Sequence, residues 1–181
     1  MPLPGLGSPS DRSAVIVRAR LPKALDQLRR ASVGDAAAGV PAHLTMLYPF
    51  VAPERLTADV RETVVAVAAR HQPFAYRLED RAVWPDTVYV RVEPEAPFVR
   101  LQADLARAFP DFPIYGTDAT FEFVPHVTIA EDTGIGRATD AHPAWASLPR
   151  AGRANAVEVI ARGADGRWRL IWRVPLGRMS P

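Results

Sequence analysis

The residues best suited to chemistry in this sequence are two histidines, each followed two positions later by a threonine. His43 and Thr45 lie in the segment HLTM, and His126 and Thr128 lie in the segment HVTI. In a β-strand, side chains two residues apart point to one face of the sheet, and their neighbours point to the other. Each segment is therefore predicted to be a strand that presents an imidazole and a hydroxyl on one face and buries apolar side chains on the other.

Two imidazoles and two hydroxyls are the groups that cleavage of a phosphodiester requires when no metal ion takes part. The unperturbed pKa of histidine, about 6.5, allows one imidazole to accept a proton while the other donates one. Threonine hydroxyls can donate hydrogen bonds to the non-bridging phosphoryl oxygens. The alternative interpretation is structural: two half-buried strands whose histidines only make hydrogen bonds that hold them in place.

The composition is that of a globular protein, with 48% hydrophobic and 23% charged residues in a chain of 181. The absence of cysteine excludes disulfides, thiolate catalysis and cysteine-ligated zinc. No apolar run approaches the roughly 20 residues of a membrane span, and the N-terminus lacks the apolar core of a signal peptide. We therefore expect a cytoplasmic protein with no membrane partner.

The net charge of +2 does not favour broad binding of duplex nucleic acid, but it allows a local arginine cluster.

The pattern of apolar residues and turn formers predicts the order strand, helix, strand, helix, hairpin, helix, strand, short helix, hairpin. The predicted bounds are strand Ala14–Arg20, helix Leu21–Arg30, a helix from a Thr57 cap to about Arg70, hairpin Phe74–Trp84 with Thr87–Glu93, helix Pro97–Phe109, short helix Thr139–Leu148, and hairpin Ala154–Arg162 with Arg167–Val174.

This mixture of helices and hairpins indicates an α+β fold with largely antiparallel sheet. Because the two histidine strands occupy comparable places in the two halves, we expect a bilobal, pseudo-duplicated fold. Each antiparallel sheet would carry helices on its outer face, and the lobes would share a central cleft. Residues 1–12 are predicted to be a disordered lead-in, and residues 13–181 a single bilobal domain.

The segments His43–Phe50 and Pro125–Ala130 resemble the two signature motifs of the two-histidine (2H) phosphoesterase superfamily. The closest resemblance is to its 2′-5′ RNA ligase-like members, and it extends through motif spacing and element order over about Ser13–Leu176. The resemblance implies a bilobal α+β enzyme that has both motifs in a central cleft and uses neither a metal ion nor another cofactor.

The resemblance also implies roles for the motif side chains. His43 and His126 would be the general acid and base, in an order that the sequence leaves open, and Thr45 and Thr128 would bind the phosphate. We expect a monomeric cyclic phosphodiesterase whose partner is a small nucleotide or an RNA end, and which hydrolyses 2′,3′-cyclic phosphates or related small RNA-derived phosphoesters. Two alternatives remain open: a non-catalytic nucleotide- or RNA-binding module on the same fold, and a 2′-5′ RNA ligase.

The residues after the second motif depart from many RNA ligase-like relatives, which have a basic residue there. This chain has Glu131 and Asp132, and two acids would repel a long polyanion. A small substrate is therefore favoured, or an arginine supplied from elsewhere. Arg91 is the first candidate for that arginine, and Tyr89 on the same strand face could stack on a base. An ordinary exposed strand face is the alternative for both.

Three further aromatic placements follow from the pattern. Tyr115, in the loop before the second motif, is a candidate to line the cleft and bind substrate. Tyr48 alternates out of phase with the motif side chains and is predicted to be a core residue. Trp168 and Trp172, four residues apart in a predicted strand, are expected to share one face and to pack on a helix.

Overall fold

Two four-stranded antiparallel sheets form the framework of the protein, whose computed structural model describes residues 12–117 and 122–177. The strands are β1 (Ser13–Arg18), β2 (His43–Leu47), β3 (Phe74–Trp84), β4 (Thr87–Glu93), β5 (His126–Glu131), β6 (Arg150–Ala154), β7 (Ala156–Arg162) and β8 (Trp168–Pro175). The helices are α1 (Lys23–Ser32), α2 (Gly34–Ala37), α3 (Ala58–Ala68) and α4 (Ala96–Ala108). The first sheet has the order β2-β1-β7-β8 and the second β5-β4-β3-β6. The predicted α+β class is confirmed.

The two strands that carry the histidine motifs are edge strands, one in each sheet, and they contact each other. Helix α1 joins β1 to β2 along the chain but packs against β5 of the other sheet. Helix α4 joins β4 to β5 and packs against β2. This reciprocal arrangement is the pseudo-duplication expected from the repeated motif, and it brings the two motifs to the junction of the lobes.

The motif strands form because their apolar side chains enter the core. In β2, Leu44 and Met46 are fully buried, and in β5, Val127 and Ile129 are fully buried. All four belong to one cluster with the apolar faces of α1, α3 and α4. Burying each such side chain contributes about 1.5–3 kcal/mol. The histidine and the threonine of each motif, which occupy the alternate positions, are only partly buried, so the predicted division of the two strand faces is confirmed over the motifs.

Most predicted elements agree with the structure within about two residues. The hairpin of β3 and β4 has the predicted bounds, and Thr57 caps α3 by accepting a hydrogen bond from the Val60 backbone N–H. The predicted short helix is a 3₁₀ turn at Pro143–Ser147. Strand β6 was not predicted as a separate strand, because its sequence, RAGRA, has no apolar alternation and its pairing with β3 is a long-range effect.

The predicted lead-in lies almost entirely outside the described residues, since residues 1–11 are not among them. Arg12, which the prediction included in that segment, is bonded to the fold. Its carbonyl accepts a hydrogen bond of 2.8 Å from the Arg162 backbone N–H, and its Nη1 donates one of 2.8 Å to the Tyr48 hydroxyl. Within the described parts of the chain, no helix has both the length and the apolar character needed to cross a membrane.

Candidate active site

Both motif histidines are held by the same backbone hydrogen bond. His43 Nδ1 lies 2.7 Å from the carbonyl oxygen of Pro41, and His126 Nδ1 lies 2.8 Å from that of Val124. A carbonyl oxygen only accepts hydrogen bonds, so each Nδ1 carries a proton and each Nε2 is the nitrogen that exchanges one. The repetition seen in the sequence therefore extends to the tautomer of the two imidazoles.

The exchangeable nitrogen of His43 is bonded to its motif threonine. His43 Nε2 lies 3.2 Å from Thr45 Oγ1, and the Tyr115 hydroxyl is also hydrogen-bonded to the Thr45 side chain. The backbone N–H of Tyr115 donates to the carbonyl of Tyr48, which fixes the start of this loop beside the end of β2. Tyr115, His43 and Thr45 therefore form one hydrogen-bonded group.

His126 lies among aromatic rings. Its ring centroid is 4.7 Å from that of Trp84, at an interplanar angle of 79°, and 5.4 Å from that of Tyr89. Trp84 and Tyr89 in turn lie 4.1 Å apart. The ladder between β4 and β5 places Tyr89 opposite Thr128, so both side chains share the face of the sheet on which His126 lies. These rings pack against the imidazole and restrict its orientation.

The two histidines open into adjoining pockets. A pocket of about 140 Å³ contains His43 and Thr45, and a larger one of about 640 Å³ contains His126. Three residues line both pockets and form their common wall: Tyr115, Thr128 and Glu131. The four motif side chains are therefore brought to one divided cleft at the junction of the sheets.

Burial lowers the pKa of both histidines. The pKa of His43 falls to about 4, chiefly through burial, with smaller contributions from the charges of Arg29 and His126. The hydrogen bond to the Pro41 carbonyl opposes this shift but does not cancel it. The pKa of His126 is also lowered by burial. Both imidazoles are therefore neutral at neutral pH and ready to accept a proton until an anion binds beside them.

A buried arginine also lines the pocket of His43. Arg29 is 2% exposed, and its Nη1 donates a hydrogen bond of 3.0 Å to the Val40 carbonyl. Burial raises the pKa of Glu131, Asp35 raises it further, and the charge of Arg29 opposes both effects. The sequence analysis did not identify Arg29 as a site residue. Its position four residues after Leu25, on the apolar face of the helix, could have indicated a buried arginine.

The sequence-predicted binding residues lie at different places relative to the cleft. Tyr115 lines both pockets. Arg91 lies opposite His126 in the ladder, but its Nε and Nη2 are each 2.7 Å from an oxygen of Asp80, and it lines neither pocket. Tyr89 is 7% exposed and packs on Trp84, which lines the larger pocket in its place. Contact of Arg91 or Tyr89 with a substrate stays a prediction.

Two aromatic placements were wrong. Tyr48 is only partly buried and lines the pocket of His43, because the alternation of β2 ends at Leu47. Trp168 and Trp172 do not share a face, because an irregularity in the pairing of β7 with β8 shifts the register between them. Trp168 lines the pocket of His43, with its indole N–H 3.3 Å from Asp35, while Trp172 packs against the main core.

None of the described residues form a group of three or more His, Asp or Glu side chains placed to hold a metal ion.

Comparison with known sequences identifies one family. The family model of the 2′-5′ RNA ligase superfamily matches residues 17–166 of this chain. A protein of Geobacillus kaustophilus named "Putative phosphoesterase" is 28% identical over 96 residues, which cover 51% of this chain and 53% of that protein. One of the same name from Bacillus pumilus is 30% identical over 95 residues, covering 51% and 53%. The chain spans about half the length of the curated relatives it matches.

Solved structures share the fold. Protein TT0787 of Thermus thermophilus superposes with a TM-score of 0.60 at 20% identity, over 93% of this chain and 100% of that one. LigT of E. coli, in a structure described as complexed with 3′-AMP, gives a TM-score of 0.52 at 19% identity, over 93% and 99%. With the family match over most of its length, the chain belongs to the 2′-5′ RNA ligase superfamily, whose members are two-histidine phosphoesterases.

Proposed function

We propose that this protein is a metal-independent phosphodiesterase that hydrolyses 2′,3′-cyclic phosphates or related small RNA-derived phosphoesters. The observation that carries the proposal is the matched pair of imidazoles. Each has Nδ1 bonded to the carbonyl two residues earlier, and each lines one of two pockets that share a wall. Two such groups, one neutral and one protonated, are what acid–base cleavage of a phosphodiester requires.

The reaction needs one proton transfer at each end of the scissile bond. The neutral imidazole takes a proton from water through Nε2, and the water oxygen forms a bond to phosphorus. The bond from phosphorus to one ribose oxygen breaks, and that oxygen takes a proton from the other, protonated imidazole. The products are a ribose hydroxyl and a phosphomonoester on the adjacent oxygen, and a second proton exchange restores the two histidines.

The anionic substrate supplies the charge that sets this pair of protonation states. In the free protein the pKa values of both histidines are lowered, so neither carries a proton at neutral pH. A phosphodiester anion between them raises the pKa of the nearer Nε2 and favours one imidazolium. The hydroxyls of Thr45 and Thr128 line the same cleft and can donate to the non-bridging oxygens, which gain charge in the transition state.

The nucleoside part of the substrate fits the larger pocket. Trp84 and Phe123 line that pocket and offer apolar ring surface to a base. E. coli LigT, which shares this fold, has been solved in structures described as complexed with 3′-AMP and with NADP⁺, which supports a nucleotide ligand for the present protein. The acids of the pocket, which include Asp86 and Glu122, disfavour further phosphates on that side.

The proposal is tested by following a nucleoside 2′,3′-cyclic phosphate by phosphorus NMR with the wild-type protein, with and without EDTA. We expect conversion to a single 2′- or 3′-monophosphate at the same rate in both samples. His43→Ala and His126→Ala should each abolish conversion while the circular dichroism spectrum is unchanged. Saturable binding of the cyclic phosphate with no product would contradict the proposal and support a binding module instead.

A further inference from the structure

An arginine-lined groove lies between the C-terminal end of β1 and strand β6, outside the two histidine pockets. It has a volume of about 670 Å³ and contains five arginines against one glutamate. The charged residues of the groove are Arg18, Arg20, Arg150, Arg153, Arg173 and Glu158. A chain whose net charge is only +2 therefore concentrates four unbalanced positive charges in one concave surface.

The single acid of the groove is already shared by two arginines. Glu158 is 4% exposed and lies 2.9 Å from Arg18 Nη2 and 3.7 Å from Arg173 Nε. The other three arginines, Arg20, Arg150 and Arg153, have no carboxylate within ion-pair distance among residues 12–117 and 122–177. They are exposed, so they can reach a bound anion without first breaking an ion pair.

The floor of the groove is preformed. Tyr76 is 3% exposed and pairs across the ladder with Gly152 of β6. A Cβ atom at Gly152 would overlap the Tyr76 ring, so the ring lies directly against the glycine, and both residues line the groove. The absence of a side chain at Gly152 therefore leaves room for the Tyr76 ring, which forms part of the wall of the groove.

The groove is connected to the candidate active site through β1. Arg18 is the ladder partner of His43, so the two side chains share one face of the first sheet, with Cα atoms about 5 Å apart. The charge of Arg18 is among the causes that lower the pKa of His43. On the opposite side of the cleft, acids line the pocket of His126: Asp86, Glu122 and Glu131. A polyanion that reaches the histidines is therefore repelled on that side and attracted on the side of Arg18.

We infer that this groove binds the phosphate backbone of an RNA strand whose terminal phosphodiester lies between His43 and His126. The inference rests on the proposed function and specifies its substrate class: an RNA end that carries several nucleotides, rather than a mononucleotide. Glu131 and Asp132, which follow the second motif, would repel a polyanion. The arginines that a polyanion needs come instead from the C-terminal end of β1 and from β6 and β8.

The test compares two triple variants that remove the same charge. The groove variant is Arg20→Ala, Arg150→Ala and Arg153→Ala. The control variant is Arg55→Ala, Arg61→Ala and Arg100→Ala, three exposed arginines that lie outside the groove. The affinity of each protein for a fluorescent ten-nucleotide RNA with a 3′-phosphate is measured by anisotropy over a range of salt concentrations.

We expect the groove variant to bind this RNA at least tenfold more weakly than the control variant at 0.1 M salt. Each lost phosphate contact lowers the slope of log affinity against log salt by about 0.7 for a single strand, so the slope should fall by about 2. The ratio of kcat/KM for the oligonucleotide 2′,3′-cyclic phosphate to that for the mononucleotide should fall in the groove variant only.

Equal RNA affinity and equal salt slopes in the two variants would overturn the inference. Equally tight binding of an Asp- and Glu-rich peptide by the wild-type protein would also overturn it, because the groove would then be a general acidic-ligand site. These outcomes are separate from the proposed function, which is tested by hydrolysis of the mononucleotide 2′,3′-cyclic phosphate and by the histidine variants.

Discussion

The Nε2 atom of His43 lies 3.2 Å from the hydroxyl oxygen of Thr45, while no hydrogen bond joins His126 to Thr128 in the described structure. The two histidines thus make the same hydrogen bond through Nδ1, but only His43 makes one to its motif threonine through Nε2. Because Nδ1 of His43 carries its proton, Nε2 of the neutral ring accepts the hydroxyl proton of Thr45. A hydroxyl has one proton, so Thr45 must turn from His43 before it can donate to a phosphoryl oxygen.

This asymmetry predicts different effects for the two threonines. Thr45→Val and Thr128→Val should each lower kcat by about 10²-fold or more, because each removes a donor to the phosphoryl oxygens. Only Thr45→Val should change the nitrogen chemical shift of His43 Nε2 in the free protein, as measured by NMR. Thr45→Ser, which retains the hydroxyl, should restore both properties. An unchanged His43 signal in Thr45→Val would contradict the assigned hydrogen bond.

The lowered pKa values predict an acidic optimum for kcat/KM. The free protein is active when one imidazole is protonated and the other neutral, and this state is most populated between the two pKa values. The pKa of His43 is about 4, and that of His126 is also below 6.5. The optimum of kcat/KM should therefore lie below pH 6.5.

The profile of kcat should lie at higher pH than that of kcat/KM, because the bound phosphodiester anion raises the pKa of the imidazoles. Both profiles are measured with a nucleoside 2′,3′-cyclic phosphate in buffers of constant ionic strength. An optimum of kcat/KM above pH 7 would show that the histidines are not held neutral by burial in the free protein.

The same burial predicts that His43 destabilises the fold in acid. The folded-state pKa, about 4, lies below the roughly 6.5 of an unfolded histidine, so the unfolded state binds more protons between these values. The free energy of unfolding should therefore rise with pH across this window. The contribution of His43 to the change between pH 4.5 and pH 7.5 is about 2.5 kcal/mol.

Denaturation by urea at both pH values measures this contribution. His43→Gln removes the titrating group, so the difference in unfolding free energy between the two pH values should be smaller in the variant by about that amount. Equal differences in the two proteins would show that the imidazole titrates normally in the folded state.

The sequence was sufficient to predict what depends on local pattern. The strand faces of β2 and β5 follow from the alternation of apolar and polar residues, and the β3–β4 hairpin follows from its turn residues. The four motif side chains could be placed in one cleft because the repeat implies equivalent positions in two lobes. For the strand faces and the hairpin, the information lies within a few neighbouring residues; for the cleft, it lies in the repetition of one short motif in the two halves of the chain.

The missed parts of the site depend on long-range contacts. Arg29, Trp84 and Trp168 reach the two pockets from α1, β3 and β8, far from the motifs along the chain. Trp168 was placed wrongly because a register irregularity in β8 has no marker in its sequence. The arginine groove was equally hidden, because it forms only when β6 joins β3.

The central claim, that His43 and His126 act together as an acid–base pair, is tested most directly by a double-mutant comparison. The kcat/KM for a nucleoside 2′,3′-cyclic phosphate is measured for the wild-type protein, His43→Gln, His126→Gln and the double variant. Each single substitution should lower kcat/KM by about 10³-fold or more. The kcat/KM of the double variant should be only slightly lower than that of the less active single variant, because the two histidines act as a unit. Activity within tenfold of wild type in either single variant would contradict the claim.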